Sequence, residues 1–374
     1  MFQRTLSQEI ANKLHTGKAI IIIGPRQVGK TTLIKELLHN QSFLFLDADD
    51  PVTQNILTSP STEQLRSLIG ENKTLFIDEA QRIPGIGVTL KIITDQFKHV
   101  QLLVSGSSSF ELTQAVNEPL TGRKWEYQLY PISWEEFENF HGYLNAQQQF
   151  ENRLIYGFYP DVLNNQGQEK AILNQLTTSY LFKDILAFSE IRKPEVLEKL
   201  VQALALQVGN QVSNNELSKL IGIDAKTIAK YIDVLQQAYV IFKLPSFSRN
   251  IRNEIKRSKK VYFYDNGIRN AVIGNFNSLN LRQDKGALWE NFLISERLKQ
   301  NAYKNTYAKM HFWRTKQKQE VDLVEEVNGE LTGYEFKWKA KPNARLPKTF
   351  TEGYQAKSAI IDTTNFREFV KIAN

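Results

Sequence analysis

The stretch Gly24-Pro25-Arg26-Gln27-Val28-Gly29-Lys30-Thr31 satisfies every fixed position of the pattern G-x-x-x-x-G-K-[ST], and it follows the apolar run Ala19 to Ile23. That order of residue types suits one chemistry. Glycines let backbone N–H groups close around phosphates, an ammonium at Lys30 reaches the terminal phosphates of a nucleoside triphosphate, and a hydroxyl at Thr31 faces Mg²⁺ at a helix N-terminus. Thr32 follows in the same turn, and Thr32 to Leu38 continues with helix-favouring residues. A chance Gly/Lys turn would lack this strand before it and this helix after it. ATP and Mg²⁺ are the expected cofactors.

A second set supports the first. Thr74-Leu75-Phe76-Ile77-Asp78-Glu79 is an apolar run closed by two acids, which reads as a buried parallel strand delivering carboxylates to the C-terminal edge of a sheet. Asp78 is expected to hold Mg²⁺, directly or through water. Glu79 is placed to polarise the water that attacks the γ-phosphate, which favours a hydrolase over a kinase or a passive nucleotide binder. Alone, an Asp-Glu pair after a strand is an ordinary solvated loop start; beside a phosphate loop it gains a role.

The elements that must position these groups follow from periodicity. Residues 1 to about 140 alternate short apolar runs with helical patterns, with strands expected at 19–23, 43–47, 74–77, 101–105 and 125–130. This is a βαβ rhythm, implying a parallel sheet with helices on both faces. The fourth strand ends in Ser105-Gly106-Ser107, where Ser105 or Ser107 either senses the γ-phosphate or caps a turn. Leu120-Thr121-Gly122-Arg123 puts an arginine just before the fifth strand. In a monomer Arg123 is a surface charge; in a homo-oligomer it reaches a neighbour's γ-phosphate as an arginine finger.

In this order these residues resemble the AAA+ superfamily of ATPases: the phosphate loop, Asp78-Glu79 within I-D-E-A-Q, a sensor-like Ser105 and a finger-like Arg123. More narrowly, G-P-R-Q-V-G-K-T-T, I-D-E-A-Q, S-G-S-S-S, L-T-G-R and Y-P-I-S-W-E-E-F together look like a widespread prokaryotic ATPase family that carries a C-terminal domain of unknown function. The resemblance covers essentially the full length. It implies an α/β fold with a P-loop AAA+ parallel-sheet ATPase domain at residues 1–140.

Composition bounds the remainder. With 374 residues, 41% hydrophobic and 23% charged, the chain reads as a soluble globular protein of two or three domains. No apolar run approaches the ~20 residues of a membrane helix and the N-terminus lacks a signal-peptide core, so no membrane partner is expected. Cys is absent, which excludes disulfides and thiolate metal sites and suits a reducing cytoplasm. A net charge of +7 favours an anionic partner, nucleic acid first and DNA ahead of RNA.

From 141 to 205 the pattern is that of a helical lid or connector, punctuated by Gly142 and the turn Gly157-Phe158-Tyr159-Pro160; the aromatics of Ser179 to Ile185 are expected in a core. Residues 206–280 read as a winged helix-turn-helix. Ser213 and Glu216 suggest a capping box, Asn214 to Leu220 a short helix, Gly222-Ile223-Asp224 a turn and Ala225 to Ala238 a second helix. Strands at Val240 to Leu244 and Lys260 to Tyr264 flank a loop rich in basic residues. Across these elements Arg249, Arg252, Lys256, Arg257, Lys259 and Lys260 oppose only Glu254. Beside Lys226, Thr227 and Lys230 they suggest a phosphate-contacting surface, while a solvated linker face is the plainer alternative.

Residues 281–374 hold a different set. A helix over Leu288 to Leu298 carries Glu290, a strand over Val321 to Val327 carries Asp322, and a strand over Leu331 to Trp338 carries Glu335 and Lys337 on one face; a further strand is expected at Phe312 to Thr315, and Asn328-Gly329 reads as a type I′ turn. A helix glutamate, a strand aspartate and Glu-x-Lys on the next strand resemble the PD-(D/E)xK nucleases, and so a restriction-endonuclease-like α/β domain. The resemblance implies that Glu290, Asp322 and Glu335 hold Mg²⁺ while Lys337 supports the attacking water or the leaving phosphate. Two functions therefore stand side by side: an ATPase that acts on or answers to nucleic acid with metal-dependent cutting, and a nucleotide-controlled switch whose C-terminal domain binds a protein without cutting.

Overall fold

Five buried side chains in succession exclude a strand with a solvated face, so Ala19–Ile23 (β1) lies inside a sheet covered on both sides. The computed structural model describes residues 1–107, 118–181, 193–249 and 259–371. Two compact units result, Met1–Pro131 with Gln237–Tyr239, and Ile132–Gln236 with Val240–Asn374. Ser108 and Ser109 of the serine-rich stretch, Phe182 to Ile185 of the aromatic stretch, and Arg252, Glu254, Lys256 and Arg257 of the basic loop lie outside the described residues.

In the first unit β1 is joined by β2 (Leu44–Asp47), β3 (Thr74–Asp78), β4 (Gln101–Gly106) and β5 (Lys124–Gln128). Their order is β2-β3-β4-β1-β5 and every pairing is parallel, so the sheet expected from the βαβ rhythm is present with strand bounds shifted by at most two residues. The central strands β1, β3 and β4 are wholly buried, whereas the edge strands β2 and β5 are largely part-exposed. Helices α1 (Leu6–Ala11), α2 (Lys30–Leu37), α3 (Pro51–Leu57), α4 (Thr62–Ile69) and α5 (Ile86–Gln96) accompany the strands. Because β4 separates β1 from β3, the phosphate loop after β1 and the acids ending β3 flank the serines that end β4.

The second unit begins with α6 (Trp134–His141), started by a full capping box between Ser133 and Glu136. Trp134 is fully buried and packs edge-on against Phe150, Phe158, Phe292 and Phe366. Y-P-I-S-W-E-E-F thus ends the first unit at Pro131 and anchors the second from Ile132 onward. Helices α7 (Tyr143–Gln148), α8 (Phe150–Tyr156), α9 (Pro160–Asn164), α10 (Glu169–Gln175) and α11 (Pro194–Leu206) fill the expected helical stretch. Gly157, at φ 71°, is required by close approach: a Cβ there would lie 2.0 Å from Asp265 Oδ1.

Next come β6 (Gln211–Val212), α12 (Asn214–Ile221), α13 (Ala225–Gln237), β7 (Ile241–Pro245) and β8 (Lys259–Phe263), the strands forming an antiparallel sheet in the order β6-β8-β7. Ser213 caps α12 by accepting the Glu216 N–H at 3.4 Å, so one half of the expected capping box is found among the described contacts. After β8 the chain forms α14 (Asn266–Val272), α15 (Lys285–Lys304), β9 (Lys309–Arg314), β10 (Glu320–Val327), β11 (Glu330–Phe336), α16 (Lys348–Tyr354), β12 (Lys357–Ile361) and α17 (Phe366–Val370). The four strands lie in the order β12-β11-β10-β9, with β12 parallel to β11 and the other pairs antiparallel. Asn328 and Gly329 both take positive φ, 51° and 84°, as the expected hairpin turn requires.

Candidate functional site

The loop between β1 and α2 is shaped by two glycines for two different reasons. A Cβ on Gly24 would sit 2.0 Å from the Leu129 carbonyl oxygen, so only glycine allows β5 this close. At Gly29 a Cβ would meet only Arg4 Nη1, at an ordinary 3.9 Å, and the requirement is instead φ 93°. Gln27 is also left-handed at φ 60°, and left-handed residues set among right-handed ones turn successive N–H groups toward one concavity. Val28 is fully buried, so within the loop it offers only backbone, while the side chains of Gln27 and Thr32 are exposed. Lys30 is 4% exposed and donates to the Gly24 and Pro25 carbonyls at 2.9 and 2.8 Å, which holds its ammonium within the loop.

The sequence reading missed Arg4, which the fold brings to this loop. Buried at 6% exposure, it donates to Val28 O and Tyr130 O, each at 2.7 Å, fastening the loop to the end of β5. No spacing or motif near the N-terminus marks that role.

The acids of β3 meet the loop through hydroxyls. Thr31 Oγ1 donates to Asp78 Oδ2 at 2.7 Å, and Ser105 Oγ donates to Asp78 Oδ1 while accepting the Glu79 N–H at 3.4 Å. Glu79 takes a left-handed backbone (φ 50°), and its Oε2 accepts from Ser107 Oγ at 2.8 Å and from Gln81 Nε2. Gln81 Nε2 also reaches Ser107 Oγ at 2.9 Å, a contact that the expectation for Ser107 did not include. Burial pushes the Glu79 carboxyl up, but Lys30, Gln81, Ser107 and Arg26 together outweigh burial and hold it below the ordinary carboxylate range. It is therefore ionised at neutral pH, as a group that polarises water must be. Thr31 and Asp78 supply the hydroxyl and carboxylate that a Mg²⁺–nucleotide complex needs, and the fold brings them into direct contact.

Arg123 lies apart from this set. It precedes β5, whose first residue pairs with Ala19 at the start of β1, so it sits at the opposite edge of the parallel sheet from the phosphate loop. Its Nε donates to Asp95 Oδ1 at 2.6 Å, both side chains being about 40% exposed. Within one chain it belongs to the surface; a neighbouring chain is required for the finger role.

The C-terminal set is also brought together, with an addition. Asp322 Oδ2 accepts the Phe336 N–H at 2.8 Å, Glu335 pairs with Lys337 at 2.5 Å, and burial together with the nearby Glu290 and Glu335 charges pushes the Asp322 carboxyl well up despite Lys260. Burial opposes the Lys337 charge, but Glu335, Asp322 and Glu290 outweigh it and hold that ammonium up. Into this set comes Lys260, 1% exposed, bonded to Glu290 at 3.0 Å and Glu320 at 2.6 Å. This corrects the expectation that Lys260 faces a phosphate backbone. Adjacent residues of a strand face opposite sides, and Lys260, not Lys259, is the one buried here. Among the described residues no group of three or more His, Cys, Asp or Glu is placed to hold a metal ion.

The rest of the basic surface is divided. Lys226 and Lys230 are exposed on α13, whereas Thr227 is tied by its N–H and hydroxyl to Asp224 at 2.9 and 2.6 Å, capping that helix. Arg249 stands over the Tyr354 ring at 5.3 Å and donates to Tyr354 O at 3.4 Å. Phe247 N–H, just before it, donates to Phe312 O at 2.6 Å, so the segment after β7 is fastened to β9.

A family model described as an AAA domain matches residues 16–138, and models described as domains of unknown function (DUF8612 and DUF4143) match residues 147–279 and 285–371. Relatives include an uncharacterized protein of Mycobacterium tuberculosis, 27% identical over 345 residues that span 91% of this chain and 75% of that protein. Another is an uncharacterized protein of Methanocaldococcus jannaschii, 23% identical over 86% of this chain and 75% of its own length. Among solved structures the Walker-type ATPase of Pyrococcus abyssi superposes with a TM-score of 0.52 at 14% identity, covering 73% of this chain and 96% of that one. The match over residues 16–138 and the shared fold support a P-loop, AAA-like ATPase domain there, with ATP binding and hydrolysis. No described helix is long and apolar enough to cross a membrane.

Proposed function

We propose that this chain is a Mg²⁺-dependent ATPase whose nucleotide state governs how its C-terminal domains meet nucleic acid. The observation that carries the ATPase reading is the continuous path of hydrogen bonds from Thr31 through Asp78 and Ser105 to Glu79, Ser107 and Gln81. It joins a phosphate loop to an ionised carboxylate. In this reading the backbone N–H groups between Arg26 and Thr32 cradle the phosphates and Lys30 meets the γ-phosphate. Thr31 and Asp78 hold Mg²⁺, which when bound neutralises charge building on the β- and γ-phosphates. Glu79 polarises the attacking water, Ser105 orients Asp78 and the Glu79 backbone, and Arg123 of a second copy completes the site. Water adds to the γ-phosphorus as its proton passes to the Glu79 carboxylate and on to solvent, the bond between the γ-phosphorus and the β–γ bridging oxygen breaks, and ADP leaves with that electron pair.

For the second unit we read residues 206–280 as a winged helix, supported by the order helix, strand, two helices, two strands and by the β6-β8-β7 sheet. Residues 281–374 read as a nuclease-like domain, supported by helix α15 followed by β9, β10, β11, α16 and β12. Exposed Lys226 and Lys230 with a net charge of +7 support nucleic acid, DNA ahead of RNA, as the partner. A protein-facing switch is the second reading, favoured because Lys260 is turned inward.

The test is ATP turnover measured with and without duplex DNA across a salt titration. The proposal expects Mg²⁺-dependent turnover and a logarithm of DNA affinity that falls linearly with log salt, its slope reduced by about 1 for each of Lys226→Ala and Lys230→Ala. Turnover without any DNA or RNA binding would leave the protein-facing switch. No turnover by wild-type protein in any of these conditions would overturn the ATPase reading.

A further inference from the structure

Alternation along β8 sends Lys260 and Tyr262 to one face, and both end on the same carboxylate. Lys260 Nζ lies 3.0 Å from Glu290 Oε1, and the Tyr262 hydroxyl donates to that same oxygen at 2.5 Å. Glu320 and Asp322, two residues apart on β10, reach the same place: Glu320 Oε1 is 2.6 Å from Lys260 Nζ, and Asp322 feels the Lys260 charge as well as those of Glu290 and Glu335. Lys260 is 1% exposed and Tyr262 is wholly buried, so this is an interior contact rather than a surface pair. On the other side Lys337 pairs with Glu335 at 2.5 Å, so a second ammonium faces the same set.

A nuclease-like domain implies a divalent ion held by Glu290, Asp322 and Glu335. The residues present do not fit one. Mg²⁺ or Mn²⁺ needs oxygens free to approach to about 2.0–2.3 Å, and Glu290 Oε1 is already engaged by an ammonium and a phenol. An ion placed there would also face a buried ammonium from within contact range, and like charges repel most where water is excluded. We propose that Lys260 is the resident cation of this acidic centre. Its ammonium stands where a metal would otherwise sit, so the domain is closed to metal and joined through Glu290 and Glu320 to strand β8. Several carboxylates crowded together with no cation would repel one another, and Lys260 meets that need without an ion from solution. The inference rests on the nuclease-like reading of residues 281–374 and is independent of ATP turnover.

The experiment is a Mn²⁺ titration of the full chain without nucleotide, followed by calorimetry or electron paramagnetic resonance, comparing wild type with Asp322→Asn. Metal taken up by the phosphate-loop region is common to both and cancels. Expected is no Asp322-dependent Mn²⁺ site in wild type or in Lys260→Arg. In Lys260→Gln and Lys260→Ala one such site should appear, at least about tenfold tighter than anything wild type shows there, and vanish again when Asp322→Asn is added. An Asp322-dependent site in wild type would overturn the proposal, as would Lys260→Gln and Lys260→Ala proteins that are folded by circular dichroism yet gain no site. Should neither variant fold, the comparison of wild type with Asp322→Asn decides: identical titrations support the lysine as resident cation, and an extra wild-type site refutes it. ATP turnover by the same preparations reports separately on the nucleotide site.

Discussion

Gly24→Ala tests whether the phosphate loop is built by close approach rather than by flexibility. The added methyl would lie 2.0 Å from Leu129 O, more than 1 Å inside ordinary contact, and 3.0 Å from its carbonyl carbon, and both atoms are backbone. Either β5 moves away from β1 or the loop does. Overpacking of this kind costs about 1–3 kcal/mol and more where backbone must shift, so about 3 kcal/mol is expected here. Gly29→Ala provides the contrast: its Cβ would meet only Arg4 Nη1, at 3.9 Å, and its cost is the left-handed φ of 93°, about 1–2 kcal/mol. The assay is the thermal midpoint and the affinity for a fluorescent ATP analogue, measured for both variants with Mg²⁺. Gly24→Ala should lower both the midpoint and the affinity by more than Gly29→Ala does. The reasoning is refuted if Gly24→Ala matches wild type in both, or if Gly29→Ala is the more damaging of the two.

Arg123→Ala and Lys30→Ala proteins, each inactive alone, should regain turnover when mixed, because one keeps an intact pocket and the other an intact finger; turnover independent of concentration, with no gain on mixing, would leave Arg123 as the surface partner of Asp95. Glu79 sits below the ordinary carboxylate range, so its carboxylate persists on the acid side of neutrality, and turnover between pH 8 and about 5.5 should show no loss through its protonation. Burial alone would raise Glu138, but its hydrogen bonds and ion pairs with Arg367 and Lys371 hold it at about 2 against an ordinary 4.5. A depressed carboxylate contributes stability that is present above the ordinary value and lost as pH falls through the folded one. The thermal midpoint should therefore fall between pH 4.5 and 2, and Glu138→Gln should remove part of that dependence; an unchanged slope would contradict it.

The meeting of the phosphate loop with the acids of β3 was legible because its information is local. Gly24 to Thr31 and Asp78-Glu79 each lie within one strand-to-loop junction, and a parallel sheet brings the C-terminal ends of its strands to one edge without further instruction. What sequence could not supply is contact across long separations between residues with no motif of their own. Arg4 acts on Val28 and Tyr130, and Trp134 finds its partners at Phe292 and Phe366, far along the chain. In the C-terminal set the residue types and their convergence were legible, whereas the occupant was not. Lys260 was assigned by the company of other lysines and arginines, a composition argument, while its fate was decided by which side of β8 faces α15 and β10. Glu320 was passed over for the same reason, although its spacing from Asp322 places both on one face of β10.

The central claim is that one carboxylate polarises water while a separate ammonium binds phosphate. It is tested most directly by measuring ATP-analogue affinity and phosphate release side by side for Glu79→Gln and Lys30→Ala, both verified as folded. An ammonium about 4 Å from a phosphate charge at an effective dielectric near 20 is worth about 4 kcal/mol, so Lys30→Ala should weaken affinity about a thousandfold. Glu79→Gln should keep affinity within about threefold of wild type while phosphate release falls by about 10²–10⁴. Equal loss of affinity in both variants, or phosphate release that survives Glu79→Gln, would contradict the division of labour between the two groups.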